Sequence, residues 1–537
     1  MNRLRRFSPT KVLFAAFLLH LSAIPLQAQS ATFGEVSFAN SGSPRAQSDF
    51  LHGLAQLHNF EYDDAAKHFR RAQEIDPNFA MAYWGEAMTR NHAVWHEQDL
   101  AAACEILSHL APTAEARQAK APTPREKQYL SAVEILYGVG SKEERDQKYE
   151  SAMAALHQAY PDDVDAGAFY ALAILGSAEH GRDFATYMRA AAVLEEVFTQ
   201  HAQHPGVVHY LIHSYDDPIH APLGLRAARI YARLAPDAGH AQHMTSHIFL
   251  ALGMWEDVVK ANETAIAVVN RERAAAGRPA RGCGHYPYWL EYGYLQLGRV
   301  NDARRLLVAC RQEALRQAER NSGSNNPTAD PDSSSIGSYA AMRANFLVDS
   351  GLWQDEVAQW NFPTFKDPFA HLTIDYTDAL VAWRTSSPAA AREALARGES
   401  DLQQAMDWLA KHKTTGSEEL DAPNILVGQL RALLSSPTAR TADVIAALKS
   451  VAAKERALPL EFGPPDVFKP TDELLGELYL ESHQPDEARS SFELDLARAP
   501  GRRLGTEGLA QSVKQSSSGS MAVQAPPSST AGKHQHP

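Results

Sequence analysis

The chain has 537 residues, enough for several compact domains or for one long solenoid. It is 45% hydrophobic and 21% charged, which is ordinary for a soluble protein, and its net charge is −13. Because no Lys/Arg-rich stretch follows the N-terminus, we expect no nucleic-acid partner.

The N-terminal segment 1–28 has the composition of an export signal. A basic beginning, from Arg3 to Lys11, precedes an apolar run from Val12 to Ile24, and Ala28 ends a plausible cleavage sequence. The apolar run is shorter than the roughly 20 residues of a membrane-spanning helix, and we expect no transmembrane segment later in the chain. The sequence predicts a protein that is exported to the periplasm or the extracellular space, with residues 29–45 as a short linker.

Amphipathic stretches rich in alanine and leucine follow one another from about residue 46 to residue 510. Runs of alternating β-branched residues are scarce, so the pattern predicts an all-α protein. Short turn sequences, such as Asp76-Pro77-Asn78 and Ala235-Pro236-Asp237, separate the predicted helices.

One sequence pattern recurs near both ends of this helical region. A small residue is followed by phenylalanine four positions later and by proline eight positions after that, and a glycine precedes the small residue by 12 positions. The two copies are Gly53, Ala65, Phe69 and Pro77, and Gly476, Ala488, Phe492 and Pro500. This resembles the tetratricopeptide repeat, a helix pair of about 34 residues. The resemblance implies a helical solenoid of antiparallel helix pairs, with degenerate repeats in the middle.

Two segments interrupt the helical pattern. Residues 318–337 are polar and rich in Gly, Ser, Asn and Pro, which predicts a flexible insertion between an N-terminal solenoid (46–317) and a C-terminal solenoid (338–510). Residues 511–537 are predicted to form a disordered tail. Of three cysteines, Cys283 and Cys310 are the likelier disulfide pair in an oxidising compartment, and buried free thiols are the alternative.

Histidines are concentrated in residues 204–247, which hold seven of the 23 in the chain. Two HxxxH pairs, His209/His213 and His243/His247, are offset from each other by the length of one repeat. Residues i and i+4 share one face of a helix, so the side chains of each pair can converge.

The phase of the repeats places these residues on one surface. With repeats starting near 205, 239 and 284, both histidine pairs occupy positions 5 and 9. In tetratricopeptide proteins, as the resemblance implies, positions 2, 5, 9, 12 and 13 face the concave groove. The other residues at such positions are His240 (2), Asp216 (12), Asp217 (13), His285 (2), Tyr288 (5) and Tyr292 (9).

Two functions fit this constellation, beside the simpler reading that the histidines are structural. The first is a scaffold whose groove, lined by His240, His285, Tyr288 and Tyr292, binds a peptide, a protein or a small ligand. A transition-metal site, most plausibly for zinc or copper, could take part. The second is a metal-dependent enzyme, a hydrolase or an oxidoreductase, with the histidines as active site. The candidate metal ligands are His209, His213, His243 and His247, with His240, Asp216 and Asp217 as further possibilities.

The motifs HPGxxHYxIH (204–213) and HxxHMxSHIF (240–249) resemble a group of exported bacterial tetratricopeptide-repeat proteins. In that group these motifs recur with Ala-Tyr-Trp-Gly-Glu-Ala (82–87) and Cys-Gly-His-Tyr (283–286). The resemblance implies the helical fold and export, and it implies no particular reaction.

Overall fold

The computed structural model of the chain describes residues 32–178, 181–320, 334–363, 365–412, 418–435 and 440–523. The predicted export signal (1–28) lies outside the described residues, as do most of the predicted insertion (318–337) and the end of the predicted tail (511–537). None of the described helices combines the length and the hydrophobicity needed to cross a bilayer.

The fold is all-α, as predicted, with two-residue strands Asn91–His92 and Glu97–Gln98 as the β-structure of the described residues. The helices of the first half are α1 (Gln47–His58), α2 (Tyr62–Ile75), α3 (Ala80–Met88), α4 (Leu100–Leu110), α5 (Ala114–Lys120), α6 (Pro124–Leu136), α7 (Lys142–Ala159), α8 (Val164–Gly176), α9 (Phe184–His201), α10 (Pro205–Tyr215), α11 (Ala221–Leu234) and α12 (Gly239–Ala251). The helices of the second half are α13 (Trp255–Ala275), α14 (His285–Gln296), α15 (Val300–Arg320), α16 (Ser335–Ser350), α17 (Pro368–Arg384), α18 (Pro388–His412), α19 (Asp421–Leu433), α20 (Thr441–Ala457), α21 (Thr471–Glu481), α22 (Pro485–Arg498) and α23 (Arg503–Val523).

Consecutive helices pack against each other along the chain, which makes the fold a helical solenoid of the tetratricopeptide type. Among the described residues the same turn closes five of the helix pairs, because the second residue after the first helix takes a left-handed backbone conformation and the next helix begins two residues later. These residues have φ between +57° and +68°, and they are Phe60, Gly253, Gly298, Ser386 and His483.

The recurring glycine, alanine and phenylalanine have a common packing role. A Cβ atom on Gly53 would lie 3.1 Å from the ring of Phe69, and one on Gly476 would lie 2.6 Å from the ring of Phe492. Glycine therefore lets the two helices of a pair approach until the phenylalanine ring fills the space between them.

Described helices extend into both the predicted insertion and the predicted tail. α15 continues to residue 320 and α16 already begins at residue 335, and residues on both sides of this gap belong to one hydrophobic core. The change from one core to the next falls instead inside α13, between Val258 and Val259. α23 continues to residue 523, well into the predicted disordered tail, because Leu509 packs on the second core and Ser512 is buried.

The C-terminal helices contact helices from the middle of the sequence. The indole nitrogen of Trp255 donates to the carbonyl oxygen of Gly501 at 2.7 Å, and Arg502 donates to the hydroxyl of Tyr292 at 3.0 Å. A disulfide joins Cys283 to Cys310, the pair that the sequence analysis named, rather than leaving them as free thiols. These contacts bring residues 458–470, which join α20 to α21, beside the histidine-rich helices.

Candidate metal centres

Three helices carry the histidine-rich segments, and each is the first helix of its pair. α10 begins after His204, whose Nδ1 accepts a hydrogen bond from the Val207 amide at 3.4 Å. α12 begins where the Glu61 carboxylate accepts a hydrogen bond from the amide of His240 at 3.1 Å. α14 begins at His285 itself. Equivalent helices of a solenoid present equivalent faces along one side, so these three can build one continuous surface.

The four predicted metal ligands do not converge on one point. Over the described residues, the histidines form two groups of three, and the ligand nitrogens within each group lie within 4.8 Å of one another. Centre I consists of His209, His213 and His240, and centre II consists of His243, His247 and His285. Each centre combines an i, i+4 pair of one helix with a histidine of the next helix, and a further group, His213, Asp216 and His247, joins the two centres.

The repeat accounts for both centres. Each centre takes positions 5 and 9 of one repeat and position 2 of the next, so His240 completes centre I and His285 completes centre II. Both residues were predicted to line the groove, and the structure places both among the clustered histidines. Repeat phase marks His240 and His285 as equivalent, because both hold position 2, although their separation in sequence exceeds one repeat length.

In centre I the three buried side chains leave the same atom unpaired. The Nε2 atoms of His209, His213 and His240 have no hydrogen-bond partner among the described residues. His209 Nδ1 lies 2.7 Å from the carbonyl oxygen of His58, which can only accept, so this Nδ1 carries the proton and Nε2 carries a lone pair. Buried polar atoms are rarely unpaired, and three imidazole nitrogens side by side are an arrangement that binds a transition-metal ion.

In centre II the Nε2 atoms contact one another. His243 Nε2 lies 3.1 Å from His247 Nε2 and 2.8 Å from His285 Nε2. His247 Nδ1 lies 2.9 Å from Oδ2 of Asp216, and an ionised carboxylate can only accept, so His247 Nδ1 donates. The amide nitrogen of Asn262 donates within its own helix, which leaves its Oδ1 to accept from His243 Nδ1 at 2.7 Å.

These hydrogen bonds point two lone pairs at each other. Because both Nδ1 atoms donate, the Nε2 atoms of His243 and His247 carry no hydrogen, although they lie 3.1 Å apart. Two lone pairs at this distance repel each other, and a cation bound to both removes the repulsion. Zinc–nitrogen bonds of about 2.0–2.1 Å place two tetrahedral ligands roughly 3.3 Å apart. The spacing in centre II is therefore close to that of two ligands of one ion.

Burial keeps these imidazoles neutral. It lowers the pKa of His209, His240 and His243 well below the usual range, and neighbouring imidazoles lower each of these pKa values further. Burial also lowers the pKa of His247 to about 4, against the raising effect of its hydrogen bond to Asp216. Metal ions bind the deprotonated ring, so protons would compete little at neutral pH.

Asp216 lies behind both centres. Its Oδ2 accepts from His247 and lies 3.6 Å from His213 Nδ1, and its Oδ1 accepts from Arg182. Burial alone would raise the pKa of Asp216, but the Arg182 guanidinium and the two histidines hold this pKa below its usual range. Asp217 accepts instead from Arg182 and His220. The two predicted carboxylates thus contact the backs of the histidines and a buried arginine.

Aromatic rings cover both centres. The ring of Phe60, whose backbone is left-handed, lies 4.3 Å from the ring of His209. Trp289 and Phe462 stack on His247, with ring centroids 4.5 Å and 4.9 Å away. These contacts fix the orientation of the imidazoles and exclude water from their faces.

The two tyrosines predicted to line the groove are buried. Tyr288 is 2% exposed and Tyr292 is 1% exposed. The hydroxyl of Tyr292 accepts a hydrogen bond from Arg502 of the returning C-terminal segment. This return could not be read from the local repeat pattern, because it depends on contacts between segments that lie far apart in sequence.

A third histidine group, the His58 cluster, consists of His58, Asp165 and His204. Oδ1 of Asp165 lies 2.9 Å from His58 Nε2 and 3.4 Å from His204 Nε2. His204 Nδ1 accepts from the Val207 amide, so His204 Nε2 carries the hydrogen, and it faces the carboxylate. His58 Nδ1 lies 3.0 Å from the hydroxyl of Tyr210, which can donate to it and leave Nε2–H for Asp165. One hydrogen bond joins His58 to Asp165 in this group, and His204 Nε2 faces the same carboxylate oxygen at the longer distance of 3.4 Å.

Comparisons with known proteins show similarity at the level of the fold. No protein-family model and no curated protein matches this chain. The solved structure of yeast Tom70 is 12% identical, with 89% of this chain and 97% of that chain covered and a TM-score of 0.34. A human IFIT1 dimer with PPP-AAAA is 14% identical (86% and 89% covered, TM-score 0.33). The P58(IPK) TPR domain is 12% identical (88% and 99% covered, TM-score 0.20). Scores this low relate no site of these proteins to the histidine centres.

Proposed function

We propose that the protein is an exported helical scaffold that binds two transition-metal ions, one at centre I and one at centre II. The observation that carries the proposal is the contact of the Nε2 atoms of His243 and His247 at 3.1 Å, with both Nδ1 atoms donating elsewhere. The equivalent arrangement at centre I supports the second ion. Neutral imidazole nitrogens suit zinc and copper best among the common ions.

Three protein nitrogens at each centre would leave one coordination position for a further ligand. The groove of the scaffold, beside these covered centres, would hold the ligand or the partner protein. We favour binding over a metal-dependent hydrolase or oxidoreductase, because Phe60, Trp289 and Phe462 cover the imidazoles that a substrate would have to reach.

Two observations support export. The basic and apolar N-terminal residues have the order of an export signal. The Cys283–Cys310 disulfide is of a kind that persists in oxidising compartments and is rare in the cytosol. Fractionation of cells that produce the full chain tests this part, and recovery of the protein in the cytosol with its export signal intact would contradict it.

Metal content of the purified protein tests the metal-binding part. After loading with zinc and dialysis, we expect about two equivalents per chain, and about one in each double variant, His209→Ala/His240→Ala and His243→Ala/His285→Ala. The matched control is His52→Ala/His68→Ala, which removes two stacked, more exposed imidazoles and should keep the wild-type content. Zinc below about a tenth of an equivalent in the wild type would rule the proposal out.

A further inference from the structure

A disulfide ties the beginning of α14 to the middle of α15. Cys283 lies two residues before His285, with which α14 begins, and Cys310 lies within α15. Both cysteines are fully buried. The covalent bond therefore fixes the chain where it leaves the exposed residues 276–281 and enters the helix that carries a histidine of centre II.

Two further contacts hold the same short segment against α15. The amide of Gly282 donates to Oε2 of Glu313 at 2.8 Å. A Cβ atom on Gly282 would lie 3.2 Å from the Cβ atom of Ala309, so the backbone packs closely on the helix. The position of residues 282–284 is thus set by α15, through one covalent bond and one hydrogen bond.

The three histidine-rich helices are fixed differently at their first turns. The side chain of His204 caps α10, and the Glu61 carboxylate accepts a hydrogen bond from the first turn of α12. The residue before α14 is Gly284, which has no side chain to cap the helix. Its φ of +105° lies in a region that is essentially open to glycine alone, and glycine is also the most flexible residue of an unfolded chain. The neighbouring disulfide supplies the restraint that a cap supplies elsewhere.

Centre II depends on this restraint more than centre I does. His243 and His247 lie on one helix, where their i, i+4 spacing keeps them together. His285 is the ligand that comes from α14, and its Nε2 lies 2.8 Å from His243 Nε2. A binding site needs its ligands held within about 0.5 Å of the productive geometry, so freedom at the start of α14 costs affinity. Centre I takes none of its three histidines from α14.

We infer that the Cys283–Cys310 disulfide sets the metal affinity of centre II, so that this centre holds its ion firmly only after the chain has been oxidised. This regulation rests on the proposed metal binding. Closing the bond removes two protons and two electrons from the two thiols, and a disulfide oxidant such as oxidised glutathione takes them up as it becomes two thiols. Because both sulfur atoms are buried, the closed bond is shielded from attack by other thiols. A chain in a reducing compartment would keep centre II weak, and export would complete it.

Zinc affinity measured at one centre at a time tests this regulation. In His209→Ala/His240→Ala, which keeps only centre II, we expect Cys283→Ser/Cys310→Ser to weaken zinc binding at least about tenfold. Refolding the variant with intact cysteines under a phosphine reductant should give the same loss, and oxidised glutathione should reverse it. Competition with a chromogenic chelator measures the affinities. Cys104→Ser, at an exposed cysteine without a bridge, is the matched control and should change nothing.

Centre I serves as the internal control. In His243→Ala/His285→Ala the same serine substitutions should leave the zinc affinity unchanged, since α14 contributes no ligand to centre I. An equal loss at both centres, or undiminished affinity at centre II without the disulfide, would overturn the inference and leave the proposed metal binding intact. Absence of zinc from both centres of the oxidised wild type would instead remove the proposed function, and this regulation with it.

Thermodynamic linkage decides the question if neither the serine variant nor the reduced chain folds. If the disulfide strengthens zinc binding, bound zinc must favour the disulfide by the same factor. In a glutathione buffer at a fixed free zinc concentration, zinc should therefore protect the disulfide about tenfold more, in the equilibrium constant, when only centre II is present than when only centre I is present. Mass spectrometry after trapping of the free thiols measures this constant. Equal protection by both centres would contradict the inference.

Discussion

Centre II and the His58 cluster have similar distances between their ligand atoms, but their hydrogen bonds are arranged in opposite ways. Both bring three ligand-type side chains within 4.8 Å of one another, away from solvent for the most part. In centre II the acceptors Asp216 and Asn262 lie behind the rings, so lone pairs meet in the middle. In the His58 cluster the carboxylate of Asp165 lies between the two imidazoles, where His58 donates to it at 2.9 Å and His204 Nε2 faces it at 3.4 Å. A metal centre is therefore distinguished from a structural network by what the imidazole nitrogen that points away from the group binds. The distances between the ligand atoms do not distinguish them.

Metal-dependent stability is the largest expected difference between the two regions. With zinc at about 1,000 times the Kd of each centre, each bound ion should add about 4 kcal/mol of unfolding free energy over the chelated form, so the wild type should gain about 8 kcal/mol. The variant His243→Ala/His285→Ala should lose the part of this gain that arises at centre II. Urea unfolding followed by circular dichroism, with zinc and with chelator, measures both. Equal zinc stabilisation of variant and wild type would place the ion elsewhere.

Removal of the acceptor at the His58 cluster should destabilise the protein with or without metal. Asp165→Asn leaves two buried imidazoles without their shared carboxylate, which should cost about 3 kcal/mol. Its zinc content should stay at the wild-type value. Unchanged stability together with the loss of zinc would reverse the comparison and make this cluster a metal site.

Acid should weaken the metal-free protein through the same cluster. Burial lowers the pKa of His58 to about 4, below its ordinary 6.5, so the unfolded chain binds this proton more readily than the folded one. The stabilising contribution is complete above pH 6.5 and is lost as the pH falls through 4, up to about 3 kcal/mol. His58→Gln, which keeps a donor for Asp165, should show a shallower loss between pH 6.5 and pH 4. An identical pH dependence in both proteins would contradict the assignment.

A smaller effect, on zinc affinity, is expected when the carboxylate behind centre II is changed. Asp216→Asn removes the charge that orients His247 but no proposed ligand, so zinc affinity should fall about tenfold. Asp237→Asn, which breaks a partly exposed pair with Arg271, is the matched control and should leave the affinity unchanged. Competition with a chromogenic chelator measures both affinities. Full wild-type affinity in Asp216→Asn would remove this carboxylate from the site.

The helical fold could be predicted from local sequence because its rules are local. Gly53, Ala65 and Phe69 describe one helix pair and the packing inside it, and Gly253 and Gly298 mark turns that the structure contains. The return of α22 and α23 was not predicted, since contacts such as Arg502 with Tyr292 join segments that share no pattern. Residues 511–523, whose composition is that of a tail, continue α23.

The candidate site could be predicted in its residues and only partly in its grouping. Repeat phase identified His209, His213, His243 and His247 and also marked His240 and His285. It did not show that the latter two complete separate centres, because this depends on how far one helix is shifted along the next. The His58 cluster was not predicted, since its members lie on α1, α8 and the start of α10 without a common spacing.

Anomalous diffraction at the zinc edge, from crystals of the zinc-loaded protein, would show directly whether the two histidine centres hold metal. We predict two peaks, each about 2.0–2.1 Å from three histidine nitrogens, those of His209, His213 and His240 and those of His243, His247 and His285. The His58 cluster should show no peak. Zinc-loaded crystals without a peak at either centre, or with one at Asp165 instead, would contradict the assignment of both centres.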